Sequence, residues 1–367
     1  MDESALSPEW GRARRVLLVR LDNLGDVLMS TPAFAAVRES LPQASLTLLA
    51  APAAWALAPH LGPWLDEVIA FDAPWVKAGD AALPRARDAL GGAERALLRR
   101  LGRAHFDAAI VFTVCTQSAL PAALLCRMAG IPLRLAHARE NPYGLLSHWV
   151  PDSDQIAPDM RHEVRRQLDL VATVGLRTAD ERLRFRLDPA DAAPLARRLA
   201  AAGLAPGQDY VLLHPGASAP SRRYPVALLA DAATRLARAG APALVACAGP
   251  GEEALLQQLC QAMPQPPHRL DGELSLGELA QLIAGARLLV ANNSGPVHLA
   301  AALGTPVVDL YALTNPQHTP WQVPARVLSQ DVPCRNCLKS ICPQGHQRCL
   351  TGVAPERVAR AVLEMVR

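Results

Sequence analysis

The 367-residue chain is short of aromatic residues, at 4%, and has almost no lysine: its 37 basic residues are 35 arginines plus Lys77 and Lys339. Set against 34 acidic residues they leave a formal net charge of +3, too near neutrality for a dedicated nucleic-acid binder that must neutralise many phosphates. No apolar run is long enough to cross a bilayer, since the longest, Leu46 to Pro59, is interrupted by Pro52. The first fifteen residues are polar, close on Arg12, Arg14 and Arg15, and lack the apolar stretch of a secretory leader. A cytoplasmic, soluble protein is expected. Eight cysteines do not make a disulfide scaffold at this length, and Cys115, Cys126, Cys247 and Cys260 stand in apolar or helical surroundings as ordinary core residues. Behind the first strand-like run there is no G-x-G-x-x-G, so a dinucleotide-binding dehydrogenase loses its main support.

What is present is a half-hydrophobic chain, 19% charged, which is enough apolar material for a packed core and, at this length, for two domains. The arginine excess, with abundant Ala, Pro and Gly, reads as a base-composition habit, so each arginine has to be argued singly. Short β-branched and apolar runs of the kind buried on both faces of a parallel sheet occur at residues 15–20, 45–50, 67–71 and 108–112. Helical stretches such as 93–103 separate them. After a turn-rich segment between Leu183 and Asp209 the alternation restarts, with strands at 210–213, 243–247, 288–290 and 307–311 and helices at 226–239, 276–284 and 295–303. This predicts an α/β protein of two Rossmann-like, doubly wound domains facing a central cleft. The expected bounds are 1–185 for the first domain and 186–350 for the second, followed by an amphipathic helix in 351–367 that packs back towards the first domain.

Three strand exits carry polar groups suited to chemistry. Leu21-Asp-Asn23-Leu-Gly25-Asp26 follows the first strand and sets a carboxylate where α/β sheets collect ligands, although such an Asp also caps helices. His214-Pro-Gly-Ala-Ser218-Ala-Pro-Ser-Arg222-Arg223 offers two adjacent guanidinium groups behind a small-residue turn, which suits a diphosphate or, equally, a solvated loop. Ala291-Asn-Asn293-Ser294-Gly295-Pro-Val-His298 leads from a strand straight into a helix whose first amides can hold an anion. Ser294 can instead be a plain helix cap, and His298 a packed core histidine.

Taken in order, VLLVRLDNLGDVLMSTPAFAAVR, HPGASAPSRRYP, CAGPGEEALL and VANNSGPVHLAAALGTPVVDLY resemble the heptosyltransferases of lipopolysaccharide core assembly, glycosyltransferase family 9, with the GT-B fold. The resemblance implies inverting transfer of heptose from ADP-heptose to an inner-core sugar hydroxyl with no obligatory metal. It implies Asp26 as general base, with Asn23, Gly25 and Thr31 on the acceptor side. It also implies that Ser218, Arg222, Glu252 (or its neighbour Glu253), Asn293, Ser294, Gly295 and His298 hold the donor. Arg222 stands where the family commonly writes lysine, and Asn293 where it usually writes aspartate. The second departure leaves the donor sugar open, with Asp309 or Glu273 as compensating acids. A transferase using another nucleotide sugar and a nucleotide-sugar epimerase are the alternatives.

The resemblance further implies a lipid-linked core oligosaccharide acceptor, and hence peripheral contact with the inner membrane through basic residues and exposed side chains such as Trp64 and Trp75. Arginines in 95–103 and 161–166 are candidates for the acceptor's carboxylates and phosphates, or simply solvated helix faces. Finally, Cys334-x-x-Cys337, Cys342 and Cys349, with His346 between the last two, have the ligand type and compactness of a structural zinc site; a reduced thiol cluster and disulfides are the competing readings.

Overall fold

The computed structural model describes residues 5–76, 91–157 and 159–366, so Lys77 lies outside the described residues. The chain forms two compact units, one of residues 1–155 with 161–186, the other of 156–160 with 187–367.

In the first unit the elements run β1 (Arg15–Arg20), α1 (Leu24–Ser40), β2 (Ser45–Ala50), β3 (Glu67–Ala70), α2 (Gly92–Ala104), β4 (Ala108–Val111), α3 (Leu120–Met128), β5 (Leu133–Ala138), β6 (His148–Pro151) and α4 (Glu163–Ala172). The strands make one parallel sheet in the order β3-β2-β1-β4-β5-β6. β1 is central and apolar throughout its interior because both faces are covered, by α1 and α4 on one side and by α2 and α3 on the other. The order reverses direction between β1 and β4, so the loop after β1 opens at the switch point where such sheets bind ligands.

The second unit repeats the plan with α5 (Ala192–Ala201), β7 (Tyr210–His214), α6 (Val226–Arg238), β8 (Ala243–Ala246), α7 (Glu253–Ala262), β9 (His268–Arg269), α8 (Leu276–Ala284), β10 (Leu288–Asn292), α9 (Gly295–Leu303), β11 (Val307–Leu310), β12 (Ala325–Leu328), α10 (Arg348–Thr351) and α11 (Pro355–Val366). Its parallel sheet, β12-β11-β10-β7-β8-β9, has its switch point between β7 and β10. Within the second unit α11 lies on α6, burying Val358, Ala359, Ala361 and Val362 in the core built by Leu229, Ala233 and Leu236. Its apolar stripe is the missing cover for that side of its own sheet. No helix among the described residues is long and apolar enough to cross a membrane.

Buried polar groups brace the first unit. His137, on β5, is buried with Nε2 3.3 Å from the Arg166 carbonyl. Burial, then the neighbouring Arg166 and Arg161, push its pKa down to about 4. The folded value lies below the unfolded one of about 6.5, so the neutral ring stabilises fully above pH 6.5 and that contribution drains away as pH falls towards 4. Between pH 7 and pH 5 the wild type should therefore lose roughly 2 kcal/mol more than His137→Asn, measured as the difference in urea unfolding free energies. Equal losses would remove the assignment.

Candidate active site

In the first unit the site grows from the carboxyl end of β1. Asp26 sits at the third position of α1 and closes a capping box with Asn23, whose backbone N–H donates to Oδ2 at 3.2 Å. The other oxygen, Oδ1, lies 3.5 Å from Arg20 Nη2. Arg20 is fully buried at the strand end and also meets Asp22 through Nε at 2.9 Å and the buried Glu163 of α4 through Nη1 at 2.9 Å. Burial alone would pull this guanidinium down, but Asp22, Glu163 and Asp26 outweigh it and hold Arg20 above its ordinary pKa. Gln117 donates to Asp22 at 2.5 Å and Gln167 to Glu163 at 2.7 Å, so the carboxylates that orient Arg20 are themselves oriented. The result is a carboxylate with both oxygens placed and its side chain 13% exposed.

Asn23 is exposed and Gly25 half-buried beside Asp26. Thr31 is not available to an acceptor: it is buried in α1, its hydroxyl donates to the Leu28 carbonyl at 2.6 Å and accepts from the Arg184 N–H at 2.8 Å. Nor are the arginines of 161–166 free for anions. Arg166 is fully buried against Asp152 and Asp154, Arg161 pairs with Asp154 and Asp169, and Arg165 pairs with Glu181. Trp64 and Trp75 are half-buried rather than exposed, the latter with its ring 5.8 Å from that of Phe71.

In the second unit the loops after β7, β8 and β10 assemble around backbone. Asn292, at the end of β10, donates to the carbonyls of Pro215 and Gly216 at 2.7 and 3.1 Å and accepts from the Tyr224 N–H at 2.8 Å, stapling the 214–224 loop at both ends. Glu252, ahead of α7, accepts from the Gly249 N–H at 3.2 Å and lies against Gly216, where an added Cβ would stand 1.7 Å from Oε2. Glu253 turns outward and is exposed; the geometry separates the two neighbours. His214 is buried, which lowers its pKa, with the Glu252 carboxylate opposing that shift.

The two adjacent arginines do not act as a pair. Arg223 Nε donates to the Ala217 carbonyl at 2.6 Å, whereas Arg222 is half-buried and makes no ion pair among the described residues. Ser218 is exposed on the same loop. Ser294 does not cap α9: its hydroxyl donates to the Asn292 carbonyl at 3.0 Å, leaving the helix start, with Gly295 half-buried, open to an anion. Asn293 is buried and donates to the His318 carbonyl at 3.1 Å, and it bonds the Tyr311 hydroxyl. His298 is buried in α9 with its ring 6.3 Å from that of His318, the core placement that sequence also allowed. Of the two compensating acids, Glu273 is exposed on a loop, while Asp309 is fully buried on β11, and that burial pushes its pKa well above the ordinary carboxylate value.

The cysteine segment is tied to this loop: Ser221 donates its N–H to the Ser340 carbonyl at 2.9 Å and its hydroxyl to Lys339 at 2.6 Å, and Gln347 donates to Pro220 at 2.7 Å. Cys334, Cys337, Cys342 and Cys349 line one small pocket with His346. Burial raises the Cys349 thiol, and backbone N–H groups of residues 344–347 lower Cys342. Among the described residues, however, no three His, Cys, Asp or Glu side chains stand at metal-ligating spacing. As placed, the thiols do not form a zinc site.

Comparison with known proteins gives the site its context. The sequence profile of glycosyltransferase family 9 (heptosyltransferase) matches residues 94–347. Lipopolysaccharide heptosyltransferase 2 of Escherichia coli K12 is 26% identical over 364 residues, covering 94% of this chain and 96% of that one. Lipooligosaccharide heptosyltransferase 2 of Campylobacter jejuni is 28% identical over 167 residues, a match spanning 44% of this chain and 52% of the relative. Among solved structures, a family 9 glycosyl transferase of Veillonella parvula superposes with a TM-score of 0.78 at 21% identity, over 96% of this chain and 97% of that one. ADP-heptose lipopolysaccharide heptosyltransferase II of E. coli gives 0.71 at 23%, over 96% and 98%. The fold is therefore GT-B, and with most of its length inside the family profile the chain belongs to glycosyltransferase family 9, the heptosyltransferases.

Proposed function

We propose that this enzyme transfers a heptose from ADP-heptose to a sugar hydroxyl of a lipopolysaccharide inner-core acceptor, inverting the anomeric carbon. The observation that carries the reading is Asp26, a carboxylate fixed by Arg20 and the Asn23 amide yet still reachable at a sheet switch point, in a chain of this family. One of its oxygens takes the proton of the acceptor hydroxyl as that oxygen bonds to the anomeric carbon, and the bond from that carbon to the diphosphate breaks. Charge then builds on the leaving ADP. Arg222 and the amide of Gly295 at the α9 start, with Ser294 beside it, supply the stabilising dipoles. Ser218 adds a hydroxyl to the same loop, and Glu252 accepts from the donor nucleoside.

Asn293 borders the donor sugar, so a neutral amide stands where an acid would otherwise face the sugar hydroxyls. The acceptor is lipid-linked, and the enzyme works in peripheral contact with the inner membrane. Asn23 and Gly25, beside Asp26, meet the acceptor.

The test is to incubate the protein with ADP-heptose and a heptose-deficient core acceptor and identify the product. Transfer with release of ADP supports the reading; a new sugar nucleotide from donor alone would instead make the protein an epimerase, and turnover of only a different nucleotide sugar would move the donor assignment. Within that assay, Gly216→Ala must displace Glu252. It should raise the donor KM about tenfold, the effect of one lost hydrogen bond to a charged group, with kcat little changed. An unchanged KM would take Glu252 out of the donor site.

A further inference from the structure

Helices α2 and α3 cover one face of the first sheet together, through Leu97 and Leu101 of the former and Ala122, Ala123 and Cys126 of the latter. Their opposite faces point outward side by side. On α3 the outward positions are Leu124 and Met128, one turn apart and 45% and 61% exposed. Next to them Tyr143 is 83% exposed and held in the left-handed region at φ 45°, a conformation that costs a non-glycine residue energy and is retained where the surroundings impose it. Arg127 ties this segment to α3, donating through Nη1 to the Gly144 carbonyl at 2.7 Å. On α2, Arg99 and Arg103 are exposed one turn apart, opposite the buried leucines. Glu94, in the first turn, is the helix's one acid. Singly exposed apolar side chains are ordinary, but here three adjoin one another beside a guanidinium row.

We propose that this face of the first unit docks on an anionic bilayer surface, with Leu124, Met128 and Tyr143 entering the interfacial layer and Arg99, Arg103 and Arg127 on lipid phosphates. The chemistry matches one occupant. Apolar tips reach acyl chains, the tyrosine ring suits the water–lipid boundary, and guanidinium forks bind phosphate bidentately. The proposal rests on the reading that the acceptor is lipid-linked, and it names the surface that would bring the enzyme to it.

The full chain is to be sedimented with phosphatidylcholine vesicles and with mixed phosphatidylcholine–phosphatidylglycerol vesicles, without sugar donor or acceptor. Wild type should bind the mixed vesicles, and added salt should weaken binding. Arg99→Glu/Arg103→Glu should lower partitioning about tenfold or more, and Leu124→Asp/Met128→Asp should do the same by removing the apolar part. Trp55→Ser, at a residue 54% exposed on residues 52–60, should change nothing. Leu124→Asp/Met128→Asp and Trp55→Ser should keep wild-type turnover on a delipidated acceptor. Failure of wild type to bind the anionic vesicles, or equal binding by both double variants, overturns the surface. Vesicle binding by a protein that transfers no heptose would overturn the proposed function and leave the surface standing.

Discussion

Asp26→Asn should lower kcat for heptosyl transfer by about 10²- to 10⁴-fold, the range for losing a positioned general base, while ADP affinity stays within about twofold of wild type. The split follows from placement. The loops after β7, β8 and β10, proposed above to hold the donor, belong to the second unit, whereas Asp26 is held by Arg20 and Asn23 in the first. Asparagine keeps the capping bond from the Asn23 amide through its carbonyl oxygen, so α1 is not frayed and a loss of activity reports on the base. Steady-state transfer kinetics with ADP titration by calorimetry measures both quantities. Full activity in Asp26→Asn would remove the base assignment, and a parallel collapse of ADP binding would point to misfolding instead.

Arg166→Met should destabilise the protein by about 3–5 kcal/mol, as expected when one partner of a buried ion pair is removed. Arg166 is fully buried, bonds Asp152 through Nη1 and Nη2 at 2.9 and 3.1 Å, reaches Asp154 at 2.6 Å and donates to the Thr113 carbonyl at 3.2 Å. Methionine fills the volume but takes the buried cation from two carboxylates whose side chains are 3% and 9% exposed, leaving Asp152 to the half-exposed Arg139 and Asp154 to Arg161. The urea midpoint of the full chain should fall, with ADP binding followed in parallel to show that the second unit remains folded below the transition. The companion Arg166→Met/Asp152→Leu/Asp154→Asn, which removes the stranded charges, should recover much of the loss. A midpoint unchanged in the single variant would mean that water reaches the pair.

How much of this could be read beforehand depended on burial. β1 and β2 were legible to their last residue because strands covered on both faces are unbroken apolar runs, and α9 because Ser294-Gly295 marks the turn from strand to helix even though the serine hydroxyl does not cap it. The edge strands β6, β9 and β12 were missed: HWVP, HR and ARVL run to four residues at most, too few to show a periodicity, and each opens on or contains a polar side chain. At the site, Asp26 announced itself by standing at a strand exit. Arg20 did not, since an arginine ending a strand looks like a solvated cap, and its partner Glu163 lies far along the chain. Thr31, Arg161 and Arg166 misled for the converse reason, because a polar side chain in sequence gives no sign of whether its partners are protein or substrate. Asn292 was passed over beside Asn293, though it is the one that staples the loop.

The two sheets also bear on how such an enzyme can change. Asp26 in the first turn of α1, and Arg222, Glu252 and Asn293 in the segments that follow β7, β8 and β10, all stand beyond the carboxyl ends of strands, while the hydrogen-bonded ladders end before them. Side chains in those positions can be exchanged without unpairing a strand, so the chemistry at the sheet ends and the stability of the two cores are set largely by different residues.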